Sequence, residues 1–135
     1  MQTMHFTLAY WCLLLAALIP YVCAGIAKFG GAPAEGGAYD NSLPRSWLAR
    51  QTGWRARANS AQANAFESLP FFMAAVIVAH QLGANQGRLD ILAFFYVLLR
   101  VAYSMAYIAG VAKIRSGIWV AGLFINVAIL LMGYR

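Results

Sequence analysis

Apolar stretches long enough to cross a bilayer alternate with short polar ones along this chain. The first runs from Thr7 to Ala27 without a charge and ends at Lys28. A hydrocarbon core of about 30 Å needs roughly 20 apolar residues of helix, so this run predicts a spanning helix. It exceeds the core of a cleavable signal and has no basic segment before it, so it reads as a retained span. Pro20 falls inside it, where spanning helices tolerate a kink. The second run, Ser68 to Gln81, is short alone, but the helix-compatible stretch Asn59 to Glu67 extends it to spanning length. The third, Ile91 to Ala112, is interrupted only by Arg100, and the fourth, Gly117 to Tyr134, is uncharged with one amide, Asn126. The pattern predicts one all-α integral membrane domain over residues 1–135, a bundle of four transmembrane helices at about 6–28, 59–82, 90–112 and 116–134.

Composition sharpens this picture. The 135 residues are 62% hydrophobic and 10% charged, whereas soluble domains carry about a quarter charged residues. A water-soluble globule is therefore excluded. The net charge of +6 does not point to nucleic acid, because the basic residues flank the apolar runs as they do in membrane loops. Lys28, Arg45, Arg50, Arg55 and Arg57 surround the first loop, and Lys113 and Arg115 the third, against Arg88 and Arg135 on the opposite side. The positive-inside rule then predicts cytoplasmic loops one and three, with both termini on the non-cytoplasmic side. Gly30 to Pro44 reads as irregular chain. Arg45 to Arg57 reads as an interfacial helix with Trp47 and Trp54 on one face, anchored in the headgroup zone. Cys12 and Cys23 lie about 16 Å apart on one helix and cannot bridge each other.

Charged side chains inside spans are costly and suggest function by default. The stretch RANSAQANAFESLPFF, Arg57 to Phe72, places Arg57, Ser60, Asn64 and Glu67 on one helical stripe, with Gln62 pointing elsewhere, toward a neighbouring subunit. The stretch RVAYSMAY puts Arg100, Tyr103 and Tyr107 on one face, and Arg115 extends that stripe toward the cytoplasmic surface. Two readings are open. Glu67 and Arg100 could be an ion pair locking two helices, with Tyr103 and Tyr107 as packing aromatics. Alternatively, the stripes hold a small, polar, mostly anionic ligand at the membrane boundary. The two histidines, His5 and His80, fall in different runs and form no metal signature. His80 reads as an interfacial residue near the outer end of helix two. Small residues Ala74, Ala75 and Ala79 permit close helix approach.

Three segments together, AQANAFESLPFF (Ala61 to Phe72), RVAYSMAYIAG (Arg100 to Gly110) and IRS (Ile114 to Ser116), resemble the MAPEG family of membrane-associated proteins in eicosanoid and glutathione metabolism. The likeness is to its short prokaryotic members, which implies a bacterial inner membrane. It covers helices two to four by motif and helix one by hydropathy. The resemblance implies a homotrimer with helix two innermost, and glutathione as co-substrate bound between subunits near the cytoplasmic face. Asn64 and Glu67 match glutathione ligands, and Gln62 a position that reaches the ligand from the adjacent subunit. Arg100, Tyr103 and Tyr107 match positions that hold the tripeptide. Arg115 matches the thiolate-stabilising arginine, followed by Ser116 as in the prostaglandin E synthase branch, and Lys28 stands near further basic positions. Ser60 replaces an arginine of the glutathione-binding synthases, and Arg57 lies one turn before it.

The expected catalytic set is Arg115, Ser116 and Tyr107. The expected glutathione-binding set is Arg57, Gln62, Asn64, Glu67, Arg100, Tyr103, Tyr107 and Lys28. Arginines suit the two carboxylates, Glu67 the ammonium, and Asn64 and the phenols the peptide groups. The expected activity is a transferase or peroxidase acting on a lipophilic electrophile or lipid hydroperoxide that enters from the membrane. Two alternatives stand beside it. One is a non-catalytic scaffold with the same fold. The other is a small multidrug transporter, disfavoured because helix one carries no carboxylate.

Overall fold

The computed structural model of the chain describes residues 5–31, 34 and 36–135; part of the first loop, Ala32, Pro33 and Glu35, lies outside the described residues. Five helices follow one another: α1 (Leu8–Phe29), α2 (Pro44–Ala49), α3 (Gly53–Gln81), α4 (Gln86–Ala109) and α5 (Ala112–Leu131). All but α2 are long and apolar enough to span a membrane, and no strand occurs among the described residues.

Local chemistry sets the helix ends. The Thr7 hydroxyl accepts from the Tyr10 amide to cap α1, and the Asn85 side chain accepts from the Arg88 amide to cap α4. Gly110, at φ +82°, ends α4 in the left-handed conformation that glycine adopts without a Cβ penalty. Val111 alone separates it from α5. Lys113 and Arg115 were expected in a loop, but this tight turn places them in the first turn of α5. For the same reason α4 ends before 112 and α5 starts before 116. α3 begins at Gly53, earlier than 59, because the polar stretch ahead of the apolar run continues the helix.

The expected interfacial helix over Arg45 to Arg57 is not continuous. It breaks between α2 and α3, and Gly53 sits at φ +62°. Trp47 and Trp54 thus stand on different helices. Trp47 is 1% exposed and meets the Tyr39 ring edge-on at 5.3 Å, so it plugs the loop instead of anchoring in headgroups. Trp54 packs over Gly31, where an added Cβ would come within 2.8 Å of the indole. Arg55 is buried and caps α1, its guanidinium donating to Ala27 O at 2.9 Å and Gly30 O at 2.6 Å.

α1 packs on α3 and α4, and α5 packs on α4 and α3. The apolar core gathers Cys12, Phe72, Val76, Ala93, Tyr96 and Ile129 with their neighbours. These come from the start of α1 and α4 and the end of α3 and α5, so the dense packing sits at the end of the bundle near the chain termini. His80 belongs there. Its Nδ1 donates to Val76 O at 2.7 Å, which leaves Nε2 to accept the Thr7 hydroxyl at 2.8 Å, and its ring stacks on Tyr10 at 3.9 Å. It clasps α1 to α3. Asp90 Oδ1 accepts from the Ala9 amide and from Gln86 Nε2 at the same end.

Candidate functional site

At the loop-bearing end the bundle opens between α3, α4 and α5. A cleft of about 490 Å³ lies there, within the size range of small-molecule sites. α3 contributes Ser60, Asn64 and Glu67 to its wall, α4 contributes Tyr103 and Tyr107, and α5 contributes Arg115, Ser116 and Trp119. A second, more apolar cleft of about 230 Å³ shares Asn64, Glu67 and Trp119 and runs along Arg100, Tyr96, Phe71 and Asn126. The spacings explain the convergence. Ser60, Asn64 and Glu67 recur at helical intervals on α3, as do Tyr103 and Tyr107 on α4, so each set lines one face.

The α4 face and Arg115 form a ladder. The Arg100 guanidinium lies 4.3 Å from the Tyr103 ring centroid, and Tyr103 meets Tyr107 edge-on at 5.7 Å. The Arg115 guanidinium lies 4.2 Å from the Tyr107 centroid. Stacking on a ring orients a guanidinium while leaving its N–H edges available to an anion. Tyr103 stands among Arg100, Tyr107, Arg115 and Glu67.

Arg100 is 5% exposed and donates to Asn64 Oδ1 at 2.8 Å. Its ionisable neighbours are the phenols of Tyr96 and Tyr103 and the Cys23 thiol. No carboxylate pairs with it among the described residues. Glu67 is exposed in the single chain and accepts no hydrogen bond from the described residues. The ion-pair reading of Glu67 and Arg100 therefore fails. Two cations and one carboxylate face the clefts without neutralising one another at contact distance.

Seven expected site residues thus come together: Asn64, Glu67, Tyr103, Tyr107, Arg115 and Ser116 around the polar cleft, and Arg100 in the inner one. Three do not. Arg57 lies one turn before Ser60 and donates from Nε to Ile108 O at 2.8 Å, closing the end of α4. Gln62 is half-buried away from both clefts. Lys28 sits at the end of α1, its ammonium 4.8 Å over the Tyr39 ring. Trp119 and Asn126 line the clefts without having been assigned to the site. Their signal was present in the sequence, because Arg115, Trp119, Gly122 and Asn126 recur at four, three and four residues, one helical face.

The arrangement can hold an anionic group at either end of the aromatic ladder and a cationic one at Glu67. Neither cysteine nor histidine lines the larger cleft. Among the described residues no cluster of histidine, cysteine and carboxylate side chains could hold a metal ion.

A family model described as MAPEG family matches residues 8–134, nearly the whole chain. No curated protein and no solved structure matches it significantly.

Proposed function

The chain belongs to the MAPEG family, and from that premise we propose that it is a glutathione-dependent membrane transferase or peroxidase acting on a lipophilic electrophile or lipid hydroperoxide. The family holds glutathione transferases and peroxidases alongside non-catalytic members. The observation that favours catalysis is that Arg115, Ser116 and Tyr107 share one cleft with Asn64, Glu67 and Tyr103.

In this reading the guanidinium of Arg100 receives a glutathione carboxylate and Glu67 receives the ammonium. Asn64 and Tyr103 bond the peptide groups. Arg115 faces the sulfur, with Ser116 or Tyr107 donating a hydrogen bond. A free thiol titrates near 8.5, and an adjacent cation lowers that value, so Arg115 favours the thiolate. With a carbon electrophile, sulfur forms the new bond and the carbanion or leaving group takes up a proton. With a hydroperoxide, sulfur attacks the terminal oxygen, the O–O bond breaks and the alkoxide is protonated. The resulting sulfenic acid then meets a second glutathione, giving the disulfide and water.

Three copies around an axis, with α3 innermost, would bring Gln62 and Lys28 of one copy toward the cleft of the next. Loops one and three would face the cytoplasm of a bacterium and both termini the opposite side. The scaffold reading draws on Ser60 standing where related synthases carry arginine, and on Arg57 being engaged by Ile108 O.

Thiolate absorbance on adding glutathione to the purified protein separates the two. Wild type should show the signal at neutral pH. Arg115→Ala should lose most of it and lose roughly 2–4 kcal/mol of barrier lowering, with glutathione affinity nearly intact. Equal signals in both proteins would leave Arg115 as a topology charge only. Absence of glutathione binding would favour the scaffold.

A further inference from the structure

The inner cleft ends on a polar group that glutathione does not explain. Asn126 is 4% exposed, lines this cleft, and its Oδ1 has no hydrogen-bond partner. Most of the cleft wall is apolar or aromatic, with Phe71, Tyr96, Ile118, Leu123 and the bare backbone of Gly122, and its polar members besides Asn126 are Asn64, Glu67, Ser68 and Arg100. Buried polar atoms nearly always find partners, and an unpaired amide oxygen in a largely apolar cleft is costly. An apolar substrate body alone would leave that cost in place.

We infer that the inner cleft is a subsite for the apolar body of the acceptor, and that Asn126 hydrogen-bonds a neutral hydroxyl carried on that body. This inference rests on the proposed activity for identifying the ligand as the acceptor. A carboxamide can present either its oxygen or its NH₂, and a hydroxyl both donates and accepts, so the two match in either orientation. Distance excludes the hydroxyl's being the reacting group. Asn126 and Arg115 share one face of α5 but lie eleven residues apart, about 16 Å along the helix. A hydroperoxide headed toward Asn126 would be out of reach of a thiolate at Arg115. The favoured acceptor is therefore an oxygenated lipid whose reactive centre lies near Arg115 and whose hydroxyl lies well away from it. Asn126 acts as a specificity residue.

The test uses 8-fluorooctan-1-ol and its methyl ether, followed by ¹⁹F relaxation as each is titrated into lipid nanodiscs holding the protein, without glutathione and with empty nanodiscs as reference. The ether keeps the body and loses the donor. Wild type should prefer the alcohol about five-fold, the worth of one net hydrogen bond. Asn126→Leu should abolish the preference and leave ether binding in place. Gly122→Ala adds a Cβ in ordinary contact with Tyr96, 3.4 Å away, so it narrows the cleft without a clash and should weaken both ligands. Equal binding of alcohol and ether by wild type, or an unchanged preference in Asn126→Leu, overturns the inference. So does binding untouched by Gly122→Ala. Glutathione binding is measured on the same samples. Its absence would sink the proposed activity while leaving the alcohol preference to stand or fall alone.

Discussion

Replacing Arg100 with methionine distinguishes a helix lock from a ligand anchor. Methionine retains much of the side-chain volume and removes the charge. In the ligand-free protein Arg100 is 5% exposed and has one neutral partner, Asn64, at 2.8 Å and one aromatic face, Tyr103, at 4.3 Å. Holding an arginine at the centre of a spanning helix costs about 3 kcal/mol on insertion scales. Against this, a hydrogen bond from a charged donor returns about 1.5–3 kcal/mol, and a desolvated cation–π contact returns about 2 kcal/mol. The terms nearly cancel, so Arg100→Met should change ligand-free stability by no more than about 1–2 kcal/mol, in either direction. Breaking a buried ion pair would instead cost about 3–5 kcal/mol. Unfolding in mixed detergent, monitored by circular dichroism, reads the difference. Glutathione at a hundred times its dissociation constant should stabilise wild type by about 2.7 kcal/mol through mass action, and that increment should vanish in the variant. Suppose Arg100→Met and Glu67→Gln each lost several kcal/mol without ligand, and the double variant lost no more than either. Arg100 would then be a structural partner of Glu67, and the anchor role would be wrong.

The other expectations concern the frame around the cleft. Arg55→Ala removes two donors from the end of α1 and should cost about 3 kcal/mol in the same unfolding assay, with Arg55→Lys recovering only part because an ammonium cannot fork to both Ala27 O and Gly30 O. Gly110→Ala should cost roughly 1–2 kcal/mol for a left-handed residue; a midpoint equal to wild type would mean the α4–α5 turn relaxes freely. A reporter fused after Arg135 should be active only outside the cytoplasm, and activity confined to the cytoplasm would reverse the orientation drawn from the loop charges.

Hydropathy made the spans legible because lipid leaves the backbone few alternatives to helix. The stripes on α3 and α4 were equally legible, since a side chain's direction follows from its place on the helix. What stayed hidden depended on where one helix end meets another. Nothing in the sequence shows which of Arg45, Arg50, Arg55 and Arg57 reach the end of another helix. Yet Arg55 and Arg57 reach the carbonyls that end α1 and α4, and Arg45 and Arg50 are exposed. Trp47 looked like an interfacial tryptophan because its burial depends on Tyr39 folding back over it. Lys113 and Arg115 looked like loop charges because a single glycine was enough to turn the chain.

The unmatched polar groups divide the molecule in the same way. At the terminus-side end, His80 and Asp90 each have two hydrogen-bond contacts. Around the clefts, Arg100 has no carboxylate partner, Glu67 no cation and Asn126 Oδ1 no donor among the described residues. Unpartnered buried atoms also occur at Trp47 Nε1 and Ser104 Oγ, but neither residue lines either cleft. Three groups of different chemistry facing connected clefts are a stronger signal. Packing alone gives no reason for Asn126, whose apolar replacement would remove a desolvation cost, and leaves Arg100 close to balance. Their joint presence is accounted for by a ligand that supplies an anion to Arg100, a cation to Glu67 and a neutral donor to Asn126. On the proposed activity glutathione would supply the first two and the hydroxyl of a lipophilic acceptor the third, so that reading fills the clefts with two molecules, one polar and one lipophilic.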